Sequence, residues 1–104
     1  MSDPREQQFL EMAREFPDAP MAHFSLGKHY LSQRRYAEAA RALEEAVRLD
    51  PAYAAALVAL GDAYAGAGQT DRAKEVLGRA RSTALAQSHQ SLAEEIDQRL
   101  DDLS

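Results

Sequence analysis

The pentapeptide LGKHY at residues 26 to 30 returns as LGDAY at residues 60 to 64, an offset of 34. The same offset carries Ala39 to Ala73, Leu43 to Leu77 and Ala46 to Ala80, so the chain contains two frames, 20 to 53 and 54 to 87. Only 8 of the 34 positions are identical, yet six of those eight are the Leu, Gly, Tyr, Ala, Leu and Ala of this pattern. Self-similarity at such a period marks stacked units, each unable to bury its apolar face alone.

Within each frame the apolar spacing divides into two helical runs parted by a turn. They cover about 21 to 33 and 37 to 49 in the first frame, and about 54 to 66 and 71 to 83 in the second. The turns are SQRRY and AGAGQT, where Gly66 and Gly68 suit a helix end and Thr70 is the expected N-cap of the next helix. Asp50 and Pro51 stop the second helix. Glycine at positions 27 and 61 costs each helix about 1 kcal/mol against alanine. Antiparallel pairing recovers that cost: Gly27 and Gly61 then lie beside the small Ala39 and Ala73. The helix axes approach closely, and Leu26, Tyr30 and Leu43, with Leu60, Tyr64 and Leu77, fill the sides of the seam.

A 34-residue helix-turn-helix with Leu-Gly, Tyr, Ala, a large apolar residue, Ala and Pro resembles the tetratricopeptide repeat. Leu26, Gly27, Tyr30, Ala39, Leu43, Ala46 and Pro51 follow the pattern in the first frame. Leu60, Gly61, Tyr64, Ala73, Leu77 and Ala80 follow it in the second, but Leu85 stands where the terminal proline belongs, and His23 and Leu57 replace the family's tryptophan. The resemblance implies an all-α fold of antiparallel helix-turn-helix repeats, stacked as a short right-handed superhelix, and a scaffold that binds other proteins.

The chain ends complete a single domain over 1 to 104. Shifting the frame back by 34 sets Phe9 opposite Leu43 and Pro17 opposite Pro51, so residues 3 to 17 are expected to form the second helix of a half repeat. Asp3 and Pro4 serve there as N-cap and first-turn proline. Residues 88 to 104 carry a stripe of Leu92, Ile96, Leu100 and Leu103 with a strongly polar outer face, as a capping helix requires. Ser88, or the box from Ser91 to Glu94, offers a start for a separate helix; no Pro or Gly after Gly78 compels a break, so a continuous helix is the alternative. Both ends are acidic, with 2 basic and 5 acidic residues in 1 to 19 and 1 and 5 in 88 to 104, which suits solvated caps.

Composition narrows function by exclusion. With 12 basic and 17 acidic residues the chain has a net charge of −5, which disfavours nucleic-acid and anionic-membrane partners. Cysteine is absent, so thiolate catalysis and Cys-based zinc sites are excluded. No basic start precedes an apolar run, and no stretch nears the ~20 apolar residues of a membrane helix, so a cytoplasmic location is expected. His23 and His29 lie six apart and point to different helix faces; Ser88, His89 and Asp97 share the residue types of a triad but no cleft, and Glu94 and Glu95 diverge by about 100°. No catalytic, cofactor-binding or metal residue is expected, and the chain reads as a non-enzyme.

Binding is the better-founded class, because the first helix of each stacked pair lines the inner surface. If Leu26, Gly27 and Tyr30 face the partner helix, the opposite stripe is Met21, Phe24, Lys28 and Leu31, with Ser25 and Ser32 beside it. The same offsets give Ala55, Val58, Asp62 and Ala65, with Ala59 beside them. Bulky residues thus face small ones, with Lys28 near Asp62 as the only charges of this wall. Family members that grip acidic chaperone tails carry Lys and Asn at chosen inner positions; here Phe24, Lys28 and Ala59 stand there, and one lysine does not make a two-carboxylate clamp. The expected partner is another protein's apolar peptide or amphipathic helix. Two alternatives remain open: Phe24 packs beneath the N-terminal helix and Met21 against Phe16, or the chain is a self-associating subunit whose groove or capping stripe of Leu92, Ile96, Leu100 and Leu103 meets a second copy.

Overall fold

The computed structural model describes residues 3–104. Six helices follow in order: α1 Pro4–Glu15, α2 Pro20–Ser32, α3 Tyr36–Leu49, α4 Ala54–Gly66, α5 Thr70–Ala86 and α6 Gln90–Asp102. Each packs antiparallel on the next, and α2 also touches α4, giving an all-α body of 38 × 27 × 19 Å. Helices α2, α4 and α6 form one layer and α1, α3 and α5 the other.

The repeated glycines are explained by a leucine rather than by an alanine. A Cβ on Gly27 would lie 2.5 Å from Leu43 Cγ, and one on Gly61 2.7 Å from Leu77 Cγ, so each leucine occupies the space a side chain would need. The expectation that Ala39 and Ala73 meet the glycines is corrected accordingly. Both alanines are fully buried in the same seam, but the atoms nearest each glycine belong to the leucine four residues further on. Leu43, Leu57 and Leu77 are the largest fully buried side chains of the two pairs, and burying each stabilises the fold by roughly 1.5–3 kcal/mol.

Two kinds of turn join the helices. At the ends of α2, α4 and α5 a residue in the left-handed region closes the helix: Arg34 (φ 58°), Gly68 (φ 81°) and Ser88 (φ 57°). The next N–H reaches back five residues, from Arg35 to the Tyr30 carbonyl at 3.0 Å, Gln69 to Tyr64 at 2.9 Å and His89 to Ala84 at 2.8 Å. This is the Schellman arrangement, and it satisfies carbonyls that the helix end leaves open. After α1 and α3 the turn is instead built on Pro17 and Pro51. There Phe16 N–H donates to the Met12 carbonyl (2.9 Å) and Asp50 N–H to that of Ala46 (3.0 Å).

The helix starts differ from expectation in the second half. Asp3 does cap α1, its Oδ1 accepting from Arg5 N–H at 2.9 Å. Thr70, however, is the first helical residue of α5 and makes no cap; Gln69 precedes it without a side-chain bond. Neither Ser88 nor Ser91 caps α6, because Ser88 is the left-handed residue of the turn and His89 holds the N-cap position. The last helix is separate from α5. With Leu85 in place of a proline, α5 runs to Ala86 and reaches 17 residues where α3 has 14.

At the ends of the stack, α1 docks on α2 and α6 on α5. Phe9, Leu10 and Ala13 pack against the core, the Phe9 ring lying 5.4 Å from the His29 imidazole. Glu6 Oε1 accepts from Arg35 Nη1 at 2.5 Å and lies 3.5 Å from the buried His29 Nε2. On α6, Ala93 and Ile96 are buried, with Leu92, Leu100 and Leu103 packed partly against the same core. Ile96 is wholly enclosed within its own chain, while Leu92, Leu100 and Leu103 of the same stripe stay half-buried.

Ala39→Glu or Ala73→Glu should abolish cooperative unfolding or lower the melting temperature severely, since each puts a charge into a crossing without space. Arg41→Glu, on an exposed position of α3, should change melting little; unchanged melting of both alanine variants would refute the pairing. Deleting residues 88 to 104 should destabilise the protein and promote aggregation, because Leu77, Ala80 and Ala84 lose their cover. An equally stable, soluble truncation would show that α6 caps nothing.

Candidate protein-binding groove

The inner layer is built from helices of different character. Helix α4 is the centre of the molecule, and its sequence AAALVALGDAYAG is apolar almost all round because α2, α3 and α5 pack on it. Consequently Val58 and Ala59 are buried, 7% and 3% exposed. Ala55 is exposed, while Asp62 and Ala65 are half-buried.

Helix α2 supplies the bulk. Phe24 is half-buried and its ring lies 5.0 Å from that of Tyr53, tilted by 37°; Tyr53 ends the α3–α4 turn. Phe24 therefore packs toward the next repeat. Met21 is 67% exposed and Phe16 57%, so Met21 is not buried against Phe16. Lys28 is exposed, Ser25 is half-buried, and Leu31 packs partly on the core. Ser32 is exposed and its hydroxyl donates to the His29 carbonyl at 2.6 Å.

The charges of the wall are arranged differently from the sequence expectation. Asp62 is held by Arg99 of α6, whose Nε donates to Oδ1 at 3.0 Å and whose Nη2 lies 3.4 Å from Oδ2. Lys28 makes no ion pair among the described residues. Arg99 thus brings α6 into the inner wall, beside a cavity of about 170 Å³ shared with Asp62, Ala65 and Leu103. The available signal was that Arg99 is the sole basic residue of 88 to 104.

The histidines do not converge. His23 Nε2 is 2.8 Å from the Pro17 carbonyl, whereas His29 is buried beneath α1. Among the described residues no group of three or more His, Asp or Glu is placed to hold a metal, and no helix is long and apolar enough to cross a membrane.

A family model described as tetratricopeptide repeat matches residues 30–95, more than half of the chain, and the chain belongs to that family. The repeat is a helical protein-binding fold. Among solved structures, the TPR2B domain of yeast Sti1 in its pHsp70 complex superposes with a TM-score of 0.89 at 21% identity, over 94% of this chain and 78% of that one. The solution structure of protein BPP2914 from Bordetella parapertussis gives a TM-score of 0.83 at 24% identity, over 99% of this chain and 89% of that one. At these identities the likeness is one of fold. No curated protein sequence matches the chain.

Burial, and secondarily the Asp50 carboxylate, holds the Tyr53 phenol above its ordinary value of 10.0. A folded value above the unfolded one means that this stabilisation is complete below pH ~10 and is lost as pH rises through the folded value. Burial raises Tyr30 and Tyr64 in the same sense. Melting temperature should therefore fall above pH ~10, and Tyr53→Phe should make that fall shallower in thermal melts recorded from about pH 9 to 11. An unaltered slope would contradict the enclosure of Tyr53 beneath Phe24.

Proposed function

We propose that this chain is a non-enzymatic adaptor of the cytoplasm that holds a segment of another protein, an apolar peptide or amphipathic helix, against the groove walled by α2, α4 and α6. All six helices are read as one unit serving that groove. The observation that carries the reading is the pairing of Met21, 67% exposed, and the half-buried Phe24 with the small, exposed Ala55 on the facing helix. Bulk beside small residues leaves a trough in which apolar side chains gain by burial.

The pHsp70 complex of the similar Sti1 domain supports a polypeptide as the class of partner. Chaperone-tail recognition itself is not carried over, because Phe24, Lys28 and Ala59 do not make a two-carboxylate clamp. With Asp62 neutralised by Arg99, the free charge of the wall is Lys28, which favours one acidic group on an otherwise apolar segment.

The test is a pull-down from the native host, followed by calorimetry with the captured partner. Phe24→Ala should cost roughly 1–3 kcal/mol of binding, the range of a central apolar anchor. Ala55→Glu, at an exposed position, should block the trough, and Lys28→Glu should weaken an acidic segment and strengthen a basic one. Melting is measured in parallel, so that only folded variants count. Full-strength capture by all three would exclude the groove as the binding site.

A further inference from the structure

The outer layer carries two equivalent clefts. One, about 470 Å³, has Leu60 and Tyr64 at its floor and Arg72, Glu75 and Arg79 of α5 on one wall. The other, about 280 Å³, has Leu26 and Tyr30 at its floor and Glu38, Arg41 and Glu45 of α3 on the corresponding wall. The offset of 34 maps one set onto the other, and every charge is reversed: Glu38 becomes Arg72, Arg41 becomes Glu75, and Glu45 becomes Arg79.

These opposite triplets are not used on each other within the chain. Among the described residues no ion pair joins α3 to α5, and Arg41, Arg72, Glu75 and Arg79 make none at all. Glu38 and Glu45 pair only with Arg35 and Arg48 three residues away and keep 39% and 36% of their side-chain surface.

We propose that the outer face of α3 and α5 is a self-association surface whose partner is a second copy of this chain. Helices α3 and α5 run in the same direction, as equivalents in successive repeats. A two-fold axis parallel to them and midway between them lays α3 of each copy over α5 of the other. Glu38, Arg41 and Glu45 then face Arg72, Glu75 and Arg79 in register, and symmetry repeats the set. The perpendicular axis in the same plane would place α3 on α3 and like charge on like, so the charge pattern selects one geometry. Such a contact closes as a dimer and leaves the inner groove of both copies open.

The experiment is sedimentation equilibrium of the purified full chain. At low ionic strength, about 20 mM, a reversible dimer is expected; at about 500 mM it should weaken at least about tenfold, since exposed pairs are screened. Arg72→Glu with Arg79→Glu should weaken it at least about a hundredfold by setting like charges face to face. Glu38→Arg with Glu45→Arg should do the same, and an equal mixture of the two variants should associate again, because each then offers what the other lacks. Where loss of the Arg35–Glu38 contact lowers melting, Glu45→Arg alone replaces the second variant. Phe24→Ala should dimerise like the unmodified chain, which separates this surface from the groove. A chain monomeric at all concentrations in low salt, a dimer indifferent to the reversals, or a mixture that stays monomeric would overturn the proposal.

Discussion

Each helix pair depends on a leucine seated directly on a glycine. Leu43 over Gly27 and Leu77 over Gly61 bring the helix axes within reach of each other, and once they are that close only alanine fits at Ala39, Ala46, Ala73 and Ala80, all fully buried. Tyr64 shows how the seam meets water: its ring is buried while its hydroxyl donates to Glu44 Oε2 at 2.9 Å. Polar side chains are consequently driven to the two outer surfaces of the stack. The stack therefore presents open faces to its surroundings.

The pairing was legible in the sequence because it depends on a few residues of extreme size at fixed spacing. Gly27 with Gly61 and Leu43 with Leu77 leave little choice of partner or direction. Reading which atoms touch was harder: spacing places Gly27 opposite a small residue, but the length of a leucine side chain lets Leu43 reach there first. Helix starts failed for a related reason. Thr70, Ser88 and Ser91 are residues that cap helices, but the Schellman turns take up these junctions with backbone bonds, and Ser88 itself adopts the left-handed conformation.

The candidate groove was only half legible. Periodicity separates the inner stripe from the seam, and Met21, Phe24 and Lys28 fall on accessible or partly accessible surface. It does not register how much a central helix is covered, so the stripe it defines includes Val58 and Ala59, which are buried. Nor does a repeat frame predict contacts with a helix outside it. Arg99 reaches Asp62 from such a helix, and that pairing changes the free charge of the wall from a balanced couple to a lone lysine.

The three additional residues of α5 bear on how a protein of this kind changes length. They rotate the direction of chain exit by about 300° relative to a 14-residue helix, and the turn that follows is the sort found inside a pair rather than between pairs. Beyond Ala86 the sequence therefore leaves the offset of 34, although α6 still packs on α5. The junction from Asp50 to Tyr53 keeps the phase, with Pro51 closing one unit as Ala54 opens the next. Growth or shortening by whole units is thus simplest in the middle of the molecule, where one frame meets the next without a change of offset.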